Sequence, residues 1–220
     1  MGAPKVKGTL ERLVREQGFP WYGFCQFLSM VFFTTLYRYR VYGRENIPPR
    51  GGVLVASNHQ SFFDPVLVGA GLERQINIMA RQGLFRVPGL ATLIRSLNAF
   101  PVKRGAFDRE AIRRALEVLE GGGLLLVFPE GTRTRDGRLQ RPRAGISLLA
   151  RQARVPVVPA VIRGAFRAWP PHRAVARGFV PIRIAFGKPL RAGGGDRRSL
   201  EADLAERWEA LERFLKAKRD

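Results

Sequence analysis

Short apolar runs alternate with amphipathic stretches along most of this chain. "GVLVASN" and "LLLVF" are brief and almost wholly apolar, as buried central strands are. "RVYGRE", "INIMA", "AFPV", "VPVVPAVI" and "FVPIRIAF" read as further strands. Between them the pattern shifts to helical spacing, in "PVLVGAGL" after Asp64, "GLATLIRSL", Asp108 to Glu120, "AGISLLARQA" and Ser199 to Lys216. In the third of these, Ala111, Ile112, Ala115, Leu116, Val118 and Leu119 alternate with charges, and Gly121 to Gly123 stops the helix. In the last, Leu200, Leu204, Trp208, Leu211 and Leu215 share one face. "GGG" at 193–195 reads as a flexible turn before it. Strands alternating with helices predict an α/β fold, a single domain whose central sheet is mainly parallel or mixed and covered by helices. A chain of 220 residues with 45% hydrophobic content suits one such domain.

The N-terminal part departs from this alternation. Residues 8–17, "GTLERLVREQ", form a short amphipathic helical pattern. From Phe19 to Tyr37 there is no charge, and Arg38 and Arg40 close the run. At about 1.5 Å per residue such a helix nearly reaches across a hydrocarbon core of about 30 Å. Gln26, Ser29, Thr34 and Thr35 dilute it. It therefore reads either as a core helix or as a helix at the membrane interface. Trp21, Tyr22 and Tyr37 suit the headgroup level, and Arg38, Arg40 and Arg44 suit anionic lipid. The expected organisation is a membrane-associating helical motif over residues 1–38, dipping into one leaflet, ahead of an α/β domain over 39–220. No small-residue cleavage site follows the run, so it is not a typical signal peptide.

Charge narrows the choice of partners. The net charge is +20, almost all from arginine, which grips phosphate through a two-pronged fork. Nucleic acid, an anionic membrane surface and a phosphorylated substrate are the ordinary explanations. Residues 151–200 hold eleven Arg or Lys against the single Asp196, spread between strand-like runs with no compact basic block. No helix-turn-helix, zinc-finger or RNA-binding aromatic signature is present, so membrane or phosphate is the better reading and no nucleic acid is expected. The single Cys25 excludes an internal disulfide and a cysteine-based zinc cage. Two histidines and scattered carboxylates have no metal-ligand spacing, and His172 in "WPPHRA" reads as a surface-loop residue. No cofactor is expected.

In α/β sheets ligands bind beyond the carboxyl ends of the strands. Three polar clusters fall there: "NHQSFFD" after "GVLVAS", "VKRG" after "AFP", and "PEGTRTRDGR" after "LLLVF". In the first, His59 and Asp64 stand five residues apart, about 140° around a regular helix, so they meet only across a turn. Asp64-Pro65 also reads as a helix start, with Asp at the N-cap and Pro at the first helical position. In the third, "FPEGTR" reads either as a tight turn built on Gly131 and Thr132 or as a phosphate fork at Arg133 with backbone amides assisting. Glu130 there could accept a hydrogen bond from a hydroxyl or orient an arginine. Arg104, beside Lys103 in the second cluster, reads as a surface arginine or a second phosphate clamp.

"NHxxxxD" at 58–64, a block ending in Arg at 98–104, "FPEGTRT" at 128–134 and "VPVVP" at 155–159 resemble the four ordered blocks of the glycerolipid acyltransferases. The resemblance is strongest to the bacterial 1-acyl-sn-glycerol-3-phosphate acyltransferases and covers roughly residues 40–165. It implies acyl transfer from acyl-CoA or acyl carrier protein to the 2-hydroxyl of lysophosphatidic acid, making phosphatidic acid for phospholipid synthesis. It implies that His59 is the general base and Asp64 its partner. It implies that Arg104, Glu130, Gly131 and Arg133 serve the acceptor, with Lys103 and Thr132 in the same substrate-binding set. It also implies an N-terminal helical motif in the membrane, at the cytoplasmic face. A related enzyme taking another glycerolipid or an ornithine lipid is one alternative. A non-catalytic basic membrane- or nucleic-acid-binding protein is another, which needs none of His59, Asp64 or Glu130.

Overall fold

The computed structural model describes residues 19–103, 108–191 and 199–218. The helix expected over 8–17, the glycine turn at 193–195 and Arg104 lie outside the described residues.

The chain forms an eight-stranded mixed sheet with helices on both faces. Its elements are α1 (Phe19–Tyr37), β1 (Arg40–Tyr42), β2 (Val53–Ser57), α2 (Asp64–Gly71), β3 (Ile76–Arg81), α3 (Leu90–Ser96) and β4 (Ala99–Val102). They continue with α4 (Arg109–Glu120), β5 (Leu124–Val127), α5 (Gly145–Ala153), β6 (Pro156–Arg163), α6 (Ala165–Ala168), β7 (Arg183–Phe186), β8 (Leu190–Arg191) and α7 (Leu200–Ala217). The order across the sheet is β1-β7-β6-β2-β5-β3-β4, with β8 beside the start of β6. The run β6-β2-β5-β3-β4 is parallel throughout. β7 and β8 return antiparallel against β6.

The all-apolar strands take the middle because both their faces are covered. Every residue of β2 and β5 is buried. Successive side chains point to opposite faces, so Val53 and Val55 join one core while Leu54 and Ala56 join the other. The first core is closed by α1 and α2, the second by α4, α5 and α7. The predicted stripe of α7 faces inward, with Leu200, Leu204, Trp208 and Leu215 buried and Leu211 partly so. The Trp208 indole N–H donates to the Ala56 carbonyl (3.1 Å), tying α7 to the central strand. Asp108 caps α4 by accepting from the Ala111 amide (3.1 Å), and Ser199 caps α7.

Three local expectations change. The strand expected over 179–186 starts only at Arg183, because Phe179 adopts φ +58° and is 81% exposed while its amide bonds the Leu36 carbonyl. Asp64 is not an N-cap: Phe63 holds that position, and Asp64 is already the first helical residue. Tyr22 and Tyr37 do not point outward to a headgroup layer. Both are buried, Tyr22 accepting from the Ile76 amide (3.2 Å) and Tyr37 packing against Phe33 and Phe63.

The run from Phe19 to Tyr37 is one helix with two apolar sides. Phe33, Tyr22 and Tyr37 face the sheet and α2. Trp21, Phe24, Phe27, Leu28, Val31 and Phe32 face outward. Gln26, which dilutes the run in sequence, donates to the Gly69 (2.8 Å) and Leu72 carbonyls at the end of α2, where the regular helical ladder runs out. Among the described residues no helix is long and apolar enough to cross a membrane.

The two sides of α1 differ in what they contribute to stability. Phe33 is 2% exposed and sits among Phe32, Tyr37, Tyr39 and Phe63. Phe33→Ala is expected to cost about 3–5 kcal/mol, whereas Phe27→Ala, at a side chain 65% exposed, should cost less than about 0.5 kcal/mol. Denaturant unfolding of the two variants measures both values.

Candidate active site

Strands β6, β2, β5, β3 and β4 all end on the same edge, and the polar clusters gather there. β2 leaves the sheet after Ser57. Asn58 holds that exit in place: its side-chain amide donates to the Ile162 carbonyl (3.0 Å) and accepts from the Ile162 amide (2.7 Å), so a side chain continues the ladder to β6. Asn58 is buried, and losing either bond would strand a backbone group without water.

The chain then folds back on Asp64. One carboxylate oxygen, Oδ2, accepts from the amides of Gln60 (2.5 Å) and Ser61 (2.7 Å) and lies 2.8 Å from Nδ1 of His59. This is the turn that the five-residue spacing requires. Asp64 is fully buried and His59 nearly so. An oxygen already accepting two N–H groups is an acceptor toward the third neighbour as well. Nδ1 therefore carries the proton, and Nε2 is the basic nitrogen of the ring. The imidazole lies nearly flat on Phe128, with centroids 4.0 Å apart and planes 16° apart. The Ser61 hydroxyl donates to the Trp169 carbonyl (2.7 Å), which directs it away from the imidazole.

"FPEGTR" packs beneath this loop. Phe128 supplies the stacking ring. Glu130 is turned inward, 2% exposed, and its carboxylate accepts from the His59 amide (3.2 Å), the Gln140 amide (3.3 Å) and the Gln140 side chain (3.4 Å). Thr134 is buried, and its amide donates to the His59 carbonyl (2.8 Å). Both backbone polar groups of His59 are thus held from the β5 loop. Gly131 has φ +76°, and its amide closes the turn onto Phe128. A Cβ there would meet the Arg143 guanidinium at 3.0 Å, so glycine lets this arginine lie close to the turn. Thr132 is exposed. Arg133 is half-buried, with its guanidinium 3.6 Å above the centre of the Phe62 ring, inside the His59–Asp64 loop.

Lys103 stands farther along the same edge, at the end of β4. With Arg81 and Arg86 it lines a cleft of about 280 Å³. Its amide donates to Asp108 (2.8 Å). The structure thus brings His59, Asp64, Glu130, Gly131, Thr132 and Arg133 into one neighbourhood around the β2 and β5 ends. Lys103 lies two strands from β5, and Arg104 is not among the described residues. Sequence reasoning missed Asn58, Gln140, Arg143, Arg81 and Arg86. Arg81 could have been found by the rule that picked the other clusters, since it is the polar residue at the end of "INIMA".

Burial pushes the Glu130 carboxyl up to about 7, against the pull of its backbone donors, and the nearby Asp64 adds to the rise. The folded protein therefore holds a proton on Glu130 that the unfolded chain, with its ordinary value of 4.5, releases first. Stability from this group is full below about 4.5 and is lost as pH rises through about 7. Relative to Glu130→Gln, the native protein should lose melting temperature across that window and run parallel to the variant above it. Equal slopes across the window would contradict the assignment.

Residues 38–163 match the protein family described as Acyltransferase. A 1-acyl-sn-glycerol-3-phosphate acyltransferase of Bacillus subtilis is 28% identical over 197 residues, which cover 89% of this chain and 95% of that protein. One from Pseudomonas aeruginosa is 30% identical over 176 residues, 79% of this chain and 66% of its own length. The crystal structure of the 1-acyl-sn-glycerophosphate (LPA) acyltransferase PlsC from Thermotoga maritima superposes with a TM-score of 0.78 at 28% identity, over 90% of this chain and 81% of that one. With a family match over more than half its length and the His59–Asp64 pair at the edge of a matching sheet, this chain belongs to the acyltransferase family.

Proposed function

We infer that this protein transfers a fatty acyl group from a thioester donor to the 2-hydroxyl of lysophosphatidic acid, giving phosphatidic acid. The observation that carries the reading is the 2.8 Å contact between His59 Nδ1 and Asp64, which leaves Nε2 as a base, in a chain similar to relatives of that name.

An alcohol is a poor nucleophile near neutral pH. His59 Nε2 takes the proton of the 2-hydroxyl as its oxygen attacks the thioester carbonyl. Asp64 holds the imidazole in the right tautomer and stabilises the imidazolium that forms. The tetrahedral intermediate then collapses, the carbon–sulfur bond breaks, and His59 returns the proton to the departing thiolate. No acyl-enzyme is required. Ser61 is engaged with Trp169, and Cys25 lies on α1. Glu130, with its carboxylate on the His59 backbone, acts in this reading by positioning the histidine loop rather than by touching the acceptor. Arg133, stacked on Phe62, and Lys103, in its cleft with Arg81 and Arg86, are suited to bind the acceptor phosphate. The amide of Gly131 is occupied within its own turn, so it is not a donor to the oxyanion.

The outward side of α1 gives the enzyme its lipid contact. Six large apolar side chains there form a patch larger than scattered surface residues make. Exposed Arg38, Arg40 and Arg44 follow at the end of the helix, where anionic headgroups would meet them. Residues 1–38 thus act as a membrane-associating motif, dipping into one leaflet at the cytoplasmic face.

Two measurements test this reading. His59→Ala should cut thiol release from acyl-CoA in the presence of lysophosphatidic acid by about 10²- to 10⁴-fold, with unfolding unchanged; a variant of near-normal rate removes His59 from the mechanism. Replacing Phe24, Phe27 and Phe32 together by Ser should lower co-sedimentation with anionic vesicles by roughly tenfold or more, again without loss of fold. Undiminished co-sedimentation would count against α1 as the contact.

A further inference from the structure

Along the carboxyl edge of the sheet, His59 follows β2, which has β6 on one side and β5 on the other. The Lys103 cleft lies on the β5 side, at β3 and β4. On the β6 side lies a second and larger cavity of about 550 Å³, formed by the end of β6, the start of β7, α6, the turn after "FPEGTRT" and the last residues of α7. Neighbouring strands stand about 4.8 Å apart, so both cavities are within a small ligand's reach of the histidine.

The larger cavity is cationic. Arg163, Arg167, Arg183, Lys216 and Lys218 line it, against two carboxylates. Those carboxylates are already engaged. Glu212 lies 3.2 Å from Lys216 and 3.8 Å from Arg163. Asp136 Oδ1 is held within its own turn by the Thr134 hydroxyl (2.9 Å) and the Arg138 amide (3.0 Å). The walls between the charges are apolar and partly aromatic, from Ile162, Phe166, Pro181 and Leu215. Phosphate groups suit the first kind of surface and a flat base suits the second.

Gln60 connects this cavity to the chemistry. It follows His59 directly and lines the cavity wall. Its side-chain N–H donates to the Gly137 carbonyl (3.2 Å), which fixes the amide's orientation. Its Oε1 is buried and accepts no hydrogen bond among the described residues. A buried amide oxygen left without a donor is uncommon, and a ligand N–H at that point would satisfy it.

We propose that this cavity between β6, β7 and α7 receives the nucleotide end of an acyl-coenzyme A donor. The proposal rests on the acyl-transfer reading above and extends it. The phosphates lie among the arginines and lysines, and the base lies against Phe166. The pantetheine arm runs past Gln60 toward His59, one of its amide N–H groups meeting Oε1. The acceptor phosphate occupies the opposite, β5 side of the histidine. The two substrates thus approach Nε2 from opposite directions along one sheet edge. A volume of this size matches a small-molecule pocket rather than the convex face of a carrier protein.

The test uses the full chain and the double variant Arg167→Ala, Lys216→Ala, both exposed positions remote from His59 and Asp64 in the reaction. Calorimetry with adenosine bisphosphate reads nucleotide binding without catalysis. The variant should weaken that binding, and raise KM for acyl-coenzyme A, by roughly tenfold or more. Its kcat, its KM for lysophosphatidic acid and its rate with an acyl-pantetheine thioester lacking the nucleotide should stay as in the parent. Nucleotide binding equal in parent and variant, or absent from both, overturns the site. So does a rise in KM for lysophosphatidic acid in place of the donor. A parent that binds the nucleotide yet acylates no lysolipid would instead remove the acceptor reading and leave the cavity's assignment standing.

Discussion

The site depends on a single oxygen. Oδ2 of Asp64 gathers the amides of Gln60 and Ser61 and the imidazole of His59 within 2.8 Å or less. These three contacts bend residues 59–64 into the turn that joins the central strand to α2. Without that convergence the histidine and aspartate would sit on opposite sides of any regular helix, about 140° apart. The cost of burying a carboxylate is offset by three charge-assisted hydrogen bonds, each roughly twice as strong as a neutral one. The β5 loop completes the frame by taking both backbone groups of His59 through Glu130 and Thr134. The imidazole is thus fixed by its side chain, its main chain and its flat contact with Phe128.

The parallel part of the sheet explains why these contacts can meet. Strands β6, β2, β5, β3 and β4 all end on one edge. Loops that are far apart in sequence therefore lie a strand width apart in space. Asn58 extends the pairing to β6 past the point where β2 leaves the sheet, and so sets where the His59–Asp64 loop begins. The two cationic cavities lie on either side of that loop because β6–β7 and β3–β4 flank the β2–β5 centre. A parallel run of strands with antiparallel returns at β7 and β8 is enough to put a cavity on each side of His59.

Helix α1 links this edge to the outer surface. Its inner side packs Phe33 and Tyr37 on Phe63, the residue before Asp64. Its outer side presents Phe24, Phe27 and Phe32. Gln26 meanwhile bonds the carbonyls that end α2. The helix therefore braces both ends of α2 while keeping an apolar side exposed. A run that is apolar all round is explained by two apolar surroundings, one on each side.

Much of the fold was legible because it follows from periodicity. "GVLVA" and "LLLV" are buried on both faces and had to be central strands; the stripe Leu200, Leu204, Trp208, Leu215 had to face a sheet. His59, Asp64 and "FPEGTR" were legible as chemistry, since polar residues directly after apolar strands mark the ligand edge of an α/β sheet. Direction was not legible. The sequence carries no sign that Glu130 turns into the protein, that Tyr22 and Tyr37 point inward, or that Asp64 reaches back to amides instead of capping forward. Nor does it foretell Phe179 at a positive φ, which delays β7. Each of these is decided by which neighbour satisfies a buried polar group or covers an apolar face; for Glu130, Tyr22 and Phe179 a deciding neighbour lies scores of residues away, and for Asp64 it lies across a turn that only the folded loop makes. The sequence by itself determined which residues could do the chemistry and which strands would bury them. Only the tertiary structure decided which nitrogen of His59 meets Asp64 and where the arginines gather, because hydrogen-bond partners and cavities exist only once the chain is folded and packed.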